Sequence, residues 1–274
     1  MATYLEKLRA AQERNNSWLC VGLDPDPARL PLPTMQWDDP VLPFNKRIIE
    51  ATADLVCAYK PNMGFYMQWG AAGLVALERT IASIPDDIPI ILDAKIGDIG
   101  HTQSAWGAGL FDTWDVDAVT VNPYVGEDAV TPLVGERPDK AVYVLARTSN
   151  PGARAFQGDL LAESGLSAEV LSRCQEWPVQ GHIGFVVGST YPQELAVARR
   201  LAPQASFLIP GIGAQGGDLA AAVAYGVHEG IGPVISASRS ILYAAPGSNF
   251  VDAARAATLA LREEINALRQ VQRI

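Results

Sequence analysis

The chain has 274 residues, of which 49% are hydrophobic and 19% are charged, and this composition indicates an ordered protein with a substantial core. Its net charge of -9 argues against nucleic acid or an anionic membrane surface as the main partner. A small anionic substrate is not excluded, because a local site can oppose the overall charge.

The cysteines and the N-terminal stretch predict a cytoplasmic location. Cys20, Cys57 and Cys174 are far apart and form neither a metal-ligand spacing nor a disulfide framework, which favours buried thiols in a reducing compartment. Residues 1–14 have helical spacing and lack the apolar region of a signal peptide. No uninterrupted apolar stretch approaches the ~20 residues that a membrane span needs.

Short apolar runs rich in β-branched residues recur along the chain and predict eight strands. They cover residues 18–23, 55–60, 88–95, 118–122, 141–147, 183–187, 206–210 and 233–237. Segments of helical spacing lie between them, around Ile48, Leu77 and Leu195. The chain ends in a predicted amphipathic helix with Leu261 and Ile265 on its apolar stripe.

Strands that alternate with helices, with no linker or break in composition, predict a single (β/α)8 TIM barrel domain. It covers residues 1–274 and includes an N-terminal helix and the C-terminal amphipathic helix. The alternative is a doubly wound open sheet, which normally has a glycine-rich turn after its first strand. Here Asp24-Pro25-Asp26-Pro27 follows that strand. Residues 24–40 and 149–158 are long loops on the predicted C-terminal rim, where insertions shape substrate pockets.

Charged residues occupy the ends of the first three predicted strands: Asp24, Lys60, and Asp93 with Lys95. The period of 2 in a strand puts Asp93 and Lys95 on one face, and Asp98 follows where the chain should turn. Such charges are costly to desolvate unless they are paired or used, and barrel enzymes keep their active sites at this end. We therefore predict catalytic roles for Lys60, Asp93, Lys95 and Asp98. The alternative is a ring of salt bridges that merely closes the top of the barrel.

This charge pattern favours a particular chemistry. The carboxylates should keep the ammonium groups of Lys60 and Lys95 protonated, and a protonated lysine in a dry site is a general acid. The same carboxylates would repel a carboxylate of the substrate. That repulsion is relieved if the substrate group leaves as neutral carbon dioxide.

A second set of residues predicts a phosphate site. A glycine-rich loop at residues 210–218 follows strand 7, and residues 236–240 follow strand 8 and should open a helix. Loops after these two strands form the usual phosphate site of a TIM barrel. Glycines let backbone N–H groups approach the anion, and Arg239 can bind two phosphate oxygens at once.

The histidines and two tryptophans receive simpler interpretations. His101, His182 and His228 share no metal-ligand spacing, so we predict no metal site, and His182 should lie at the end of the barrel opposite the active rim. Trp106 and Trp114 belong to the helical segment after strand 3, where we expect packing or interface contacts.

The ensemble of motifs resembles orotidine 5'-phosphate decarboxylase, in particular its longer bacterial form. The resemblance rests on a D-x-K-x-x-D-I-x-x-T pattern at residues 93–102. It is supported by residues 22–25, 59–62, 148–153, 210–217 and 238–240. D-x-K-x-x-D alone is shared with related sugar-phosphate barrels, but the order and spacing of the ensemble cover essentially the whole barrel.

The resemblance implies decarboxylation of orotidine 5'-phosphate to UMP, without a cofactor, as the last step of pyrimidine synthesis. It implies that Lys95 protonates the carbanion of the ring and that Asp93 stresses the departing carboxylate. Lys60 and Asp98 complete the charge array. Lys60 and Asp24 also contact ribose hydroxyls.

The remaining implied roles concern a dimer and substrate binding. Asp98 and Thr102 resemble residues that family members lend to the site of a neighbouring subunit, so a homodimer with shared sites is expected. Ser149 resembles the residue that hydrogen-bonds the pyrimidine. Gln215 and Arg239 resemble residues that hold the phosphate.

One departure and two alternatives accompany the resemblance. Position 96 is Ile where many relatives are expected to carry Arg, and we expect no effect on the chemistry because Ile96 should alternate away from the site. A magnesium-dependent relative, such as hexulose-phosphate synthase or ketogulonate-phosphate decarboxylase, is one alternative, although it would not need the pyrimidine loop at residues 148–153. A non-catalytic nucleotide-binding barrel is the other.

Overall fold

Eight strands form in a computed structural model that describes residues 2–31, 33–36, 38–157, 165–189, 192–212 and 217–272. They are β1 Leu19–Leu23, β2 Ala58–Pro61, β3 Ile91–Ile96, β4 Ala118–Val121, β5 Ala141–Arg147, β6 His182–Val187, β7 Phe207–Pro210 and β8 Val234–Ala237. All eight predicted strands are confirmed. The largest differences are the starts of β2 and β3, because the apolar runs there begin before regular pairing does.

The helices between the strands also follow the predicted pattern. They are α1 Tyr4–Arg14, α2 Val41–Thr52, α3 Met63–Met67, α4 Gly70–Ile81, α5 Gly100–Gly107, α6 Thr131–Val134, α7 Leu166–Arg173, α8 Pro192–Leu201, α9 Leu219–Gly226, α10 Arg239–Leu242 and α11 Phe250–Gln272. A π-helical segment, Ala108–Thr113, continues α5. Within the described ranges, none of these helices has the length and apolar character required to cross a bilayer.

The strands are parallel and form one barrel. Their order is β2-β1-β8-β7-β6-β5-β4-β3. Two isolated parallel bridges, Tyr59 with Ile90 and Asn62 with Asp93, join β2 to β3 and bring the ends of the sheet together. The predicted (β/α)8 architecture is therefore confirmed, and the open doubly wound sheet is excluded.

The N-terminal helix closes the bottom of the barrel, where the strands begin. Thr3 caps α1 in a capping box with Glu6. Tyr4 and Leu8 of this helix are buried with the apolar side chains inside the barrel, and the Tyr4 hydroxyl lies 2.8 Å from that of Tyr143. Because the bottom is filled in this way, the strand C-termini form the accessible mouth.

A small polar network continues from Tyr143 at the same end. Ser206 Oγ donates to the Tyr143 hydroxyl at 3.3 Å and lies 2.7 Å from His182 Nε2. Burial, together with the charge of His228, lowers the pKa of His182 to about 4. His182 opens β6, so its predicted position opposite the active rim is confirmed.

The outer core lies between the sheet and the helices that surround it. α11 packs against α2, α9 and α10 and buries Phe250, Ala254 and Ile265. Ile96, the departure noted in the sequence, belongs to this core and is 7% exposed. Its side chain therefore packs in the outer core and does not line the mouth of the barrel, so the expectation that it lies away from the site is confirmed.

Candidate active site

A cavity of about 440 Å³ opens at the mouth of the barrel, within the size range of small-molecule sites. Its polar walls come from strand ends and the loops that follow them: Asp24, Lys60, Asn62, Asp93, Lys95, Thr120, Thr148, Ser149, Asn150, Ser236, Ser238, Arg239 and Ser240. Leu145, Val186 and Leu208 add apolar surface. The cavity thus combines charged groups with an apolar surface on which a flat ring can lie.

Asp93 is the centre of the charged region. Its Oδ1 accepts hydrogen bonds from Lys95 Nζ at 2.5 Å and Thr120 Oγ1 at 2.8 Å. Its Oδ2 accepts from Lys60 Nζ at 3.1 Å and Asn62 Nδ2 at 3.2 Å. Four donors from three strands and one loop therefore fix the carboxylate, and two of them are ammonium groups.

The charges stabilise one another's ionised forms. Burial alone would raise the pKa of Asp93, but Lys60 and Lys95 outweigh it and hold that pKa well below its usual range. Burial would likewise lower the pKa of Lys60, and the charges of Asp93 and Asp24 raise it instead. Asp93 is therefore an anion and Lys60 a cation at neutral pH.

Lys95 differs from Lys60 in its access to solvent. The Lys95 side chain is 48% exposed, whereas that of Lys60 is 7% exposed. Both ammonium groups bind Asp93, so Lys60 is enclosed by the barrel and Lys95 stands at the open side of the cavity. An entering molecule meets the Lys95 ammonium directly.

The backbone that carries Lys95 is not a regular strand. The pairing of β3 with β4 shifts between Leu92 and Ile96, and Lys95 has a φ of 48°, which is uncommon for a residue with a side chain. The Lys95 N–H donates to Thr120 Oγ1 at 2.9 Å. Regular alternation was therefore the wrong reason for placing Asp93 and Lys95 together, since a bulge brings both side chains to the cavity.

Asp24 lies at the end of β1 and is 7% exposed. Within the described part of the chain, its Oδ1 atom is buried without a hydrogen-bond partner. Leaving such an atom buried without a partner is costly. Asp24 lines the cavity, so a rotation of its carboxylate would bring this oxygen to a hydroxyl group of a ligand.

The loop after β5 forms one wall of the cavity and contains Ser149. Gln157 organises this loop, because its Oε1 accepts from the Thr148 N–H at 2.8 Å and its Nε2 donates to Thr148 Oγ1 at 2.9 Å. Thr148 Oγ1 in turn donates to Asn150 Oδ1 at 2.6 Å. These bonds hold the segment on both sides of Ser149 at the cavity.

The candidate phosphate residues lie at the part of the mouth formed by β7, β8 and β1. Arg239 is the first residue of α10, which begins after a single residue, Ser238, at the end of β8. It lines the cavity together with Gly211. Gly211 has a φ of 101°, a conformation that favours glycine. Gln215, the other predicted phosphate residue, lies outside the described residues.

Asp98 and Thr102 do not line this cavity. Asp98 ends the turn after β3, and its N–H donates to Gln103 Oε1 at 3.1 Å. Thr102 lies in a separate depression on the outer surface, with Trp106, Leu110 and Trp114. The two residues therefore do not contribute to the cavity of their own chain.

Comparison with known proteins gives the family. A family model described as Orotidine 5'-phosphate decarboxylase / HUMPS family matches residues 17–256. The chain belongs to this family.

Individual relatives are similar to this chain over nearly its whole length. The chain is 46% identical over 272 residues to an orotidine 5'-phosphate decarboxylase of Thermomicrobium roseum, covering 98% of this chain and 96% of that protein. It is 47% identical over 257 residues to the protein of the same name from Herpetosiphon aurantiacus, covering 92% and 94%. The solved OMP decarboxylase of Leishmania donovani superposes with a TM-score of 0.84 at 38% identity, covering 97% and 98%.

In this member of the orotidine 5'-phosphate decarboxylase / HUMPS family, two polar site residues were not predicted from the sequence. Asn62 and Thr120 both hold Asp93. Asn62 lies two residues after Lys60, within the segment 59–62 that supports the resemblance. Thr120 is a polar residue within an apolar strand. That isolated hydroxyl was a usable signal, because a polar side chain inside a barrel needs a partner.

Proposed function

We propose that this chain decarboxylates orotidine 5'-phosphate to UMP and carbon dioxide, the last step of pyrimidine synthesis, without a cofactor. One observation carries the proposal: Asp93 is held between Lys60 and Lys95 in a cavity of suitable size. The full-length likeness to proteins named orotidine 5'-phosphate decarboxylase supports the same reaction.

The proposed chemistry follows from the charges around Asp93. A substrate carboxylate placed beside the Asp93 anion is repelled, and this repulsion ends when the group leaves as carbon dioxide. The electron pair of the broken carbon–carbon bond stays on the ring carbon. Lys95 then donates a proton from Nζ to that carbon, as a general acid at the open side of the cavity.

Lys60 stabilises this arrangement and contributes to binding. Its ammonium group holds Asp93 at 3.1 Å from the enclosed side, so the Asp93 carboxylate remains fixed when Lys95 turns to the substrate. In the proposal, Lys60 and Asp24 contact the ribose hydroxyls. Both residues line the cavity, and the Oδ1 of Asp24 has no partner among the described residues, which supports this role once the carboxylate rotates toward the ligand.

In the proposal, the pyrimidine and the phosphate of the substrate bind at opposite ends of the cavity. Ser149 hydrogen-bonds the pyrimidine, and Arg239 binds the phosphate together with the proposed residue Gln215. Binding of the phosphate, which does not react, provides free energy that can be used at the reacting carbon. Asp24, at the end of β1, lies between these two regions.

We also propose a homodimer in which Asp98 and Thr102 complete the site of the partner. Neither residue lines the cavity of its own chain. Thr102 lies in a surface depression with the apolar side chains of Trp106, Leu110 and Trp114, which suits contact with a second copy. Asp98 would then join the charges around Lys95 of the neighbouring subunit.

Two further parts of the proposal concern organisation and location. A single domain over residues 1–274 is supported by α1 and α11, which both pack on the same barrel. A cytoplasmic location is supported by the free, buried state of Cys20, Cys57 and Cys174, which suits a reducing compartment.

The deciding experiment follows the ultraviolet absorbance of orotidine 5'-phosphate after enzyme is added in excess chelator. Full activity is expected. Strict dependence on magnesium would favour the sugar-phosphate relatives, and binding of UMP without turnover would favour a non-catalytic barrel. The Lys95→Ala variant, prepared in parallel, serves as the inactive control.

A further inference from the structure

The side chain of Tyr243 connects two parts of the cavity wall that are far apart in sequence. Tyr243 directly follows α10, the short helix that begins with Arg239. Its hydroxyl accepts a hydrogen bond from the Asp26 N–H at 2.6 Å and donates to the Asp24 carbonyl oxygen at 3.2 Å. We propose that Tyr243 is a positioning residue that holds Asp24 against the substrate's ribose, an inference that rests on the decarboxylase function proposed above.

The loop after β1 needs such a partner because of its sequence. Pro25 and Pro27 have no backbone N–H, so Asp26 supplies the one amide donor among residues 25–27. That donor bonds to Tyr243. The hydroxyl therefore fixes the backbone on both sides of Pro25, where the chain leaves the barrel and the Asp24 side chain must be aimed.

Aromatic and cationic contacts fix Tyr243 in turn. Its ring stacks on Phe44, with ring centroids 5.9 Å apart and an angle of 10° between the planes. Phe44 is fully buried and stacks on Phe250 at 5.4 Å. The Arg29 guanidinium lies 4.1 Å from the centroid of the Tyr243 ring. These ring contacts therefore hold the hydroxyl in position independently of its own hydrogen bonds.

The chemistry of the hydroxyl suits a role that is constant with pH. Burial raises the pKa of Tyr243 to about 12, so the group remains a neutral donor and acceptor throughout the working range. Asp24, which it positions, has a buried Oδ1 with no partner in the described residues. A small rotation of the loop would move the Asp24 carboxylate from its place at the cavity wall.

The test uses Tyr243→Phe, which retains the ring and its stacking and removes the hydroxyl. We expect the KM for orotidine 5'-phosphate and the Kd for UMP to rise about tenfold, the scale of one or two neutral hydrogen bonds. The value of kcat should stay within about threefold, because the ribose contact is present in both the ground state and the transition state. Unchanged KM and Kd in an active enzyme would overturn the inference.

A double-mutant cycle shows whether the effect passes through Asp24. In an Asp24→Asn background, adding Tyr243→Phe should change the Kd for UMP by less than about twofold. A full additional tenfold loss would mean that Tyr243 acts independently of Asp24. An inactive wild-type enzyme would refute the proposed function itself, so the two failures are distinguishable.

Tyr4→Phe is the matched control, since Tyr4 also loses a buried hydroxyl contact, at the opposite end of the barrel. We expect a comparable fall in melting temperature and unchanged KM. If Tyr4→Phe raises KM as much as Tyr243→Phe does, the Tyr243 effect is one of general stability and the inference is wrong.

Discussion

Lys95 places its ammonium group 2.5 Å from the Asp93 carboxylate although its own backbone lies in the left-handed region, with a φ of 48°. A non-glycine residue in that region costs on the order of 1–3 kcal/mol and persists where the surrounding structure demands it. Here the demand comes from Thr120, whose hydroxyl accepts the Lys95 N–H and donates to Asp93. The strained backbone of Lys95 therefore lies at the charged centre of the site.

Removing the Lys95 side chain should separate catalysis from binding. We expect Lys95→Ala to lower kcat by at least about 10²- to 10⁴-fold, the range of general acid catalysis. UMP binding should be largely intact, because the half-exposed Lys95 leaves the enclosed Lys60–Asp93 pair in place. Steady-state kinetics and calorimetric titration with UMP measure the two quantities. A comparable loss of both would indicate a structural role.

The same position allows a test of the strain. Lys95→Gly and Lys95→Ala both remove the ammonium group, but glycine accepts a positive φ without steric cost. We expect the glycine variant to be more stable than the alanine variant by about 1 kcal/mol in urea denaturation. Equal stability, or a more stable alanine variant, would show that the left-handed conformation of Lys95 is not costly.

Arg239→Ala should act mainly on phosphorylated ligands. We expect the affinity for UMP to fall about 10- to 100-fold, the scale of charge-assisted hydrogen bonds, while the affinity for uridine stays the same. Calorimetric titration with both ligands measures the difference. Arg173→Ala is a suitable control, because Arg173 is an exposed partner of Glu169 on α7. An unchanged affinity of Arg239→Ala for UMP would remove Arg239 from the phosphate site.

Mixed dimers test the proposed sharing of sites. A heterodimer of Lys95→Ala and Asp98→Ala subunits contains one intact site and one doubly altered site. Random association of equal amounts should therefore restore about one quarter of the wild-type activity, since half of the dimers are mixed and each has one working site. Differently tagged subunits allow the heterodimer to be isolated before assay. An inactive, verified heterodimer would contradict the shared arrangement.

Acid should destabilise the barrel partly through His182. Its pKa falls from 6.5 to about 4 on folding, so the unfolded chain binds more protons between these values and stability decreases as the pH falls through this window. His182→Gln removes this titration. When the pH is lowered from 6.5 to 4, the free energy of unfolding should fall less in the variant than in the wild type, by up to about 3 kcal/mol. Urea denaturation at both pH values measures this difference. A wild-type slope in His182→Gln would contradict this prediction.

The sequence predicted the barrel well because its strands are mostly apolar and its turns are not. It also predicted that Lys60 and Asp93 would meet, since both lie at the ends of neighbouring strands. The bulge at Lys95 could not be predicted, because it depends on a hydrogen bond to Thr120 from another strand. The contacts of Tyr243 could not be predicted for a similar reason, because its partners Asp24 and Asp26 lie more than 200 residues away along the chain.

The closure of the barrel has a consequence for its motions. β2 and β3 are joined by two isolated bridges rather than a continuous ladder, and one of these bridges pairs Asn62 with Asp93. The Lys60–Asp93 ion pair spans the same junction. Loss of either charge should therefore speed amide hydrogen exchange along β2 and β3 before it affects the rest of the sheet. The groups assigned to the chemistry would then also hold the two ends of the sheet together.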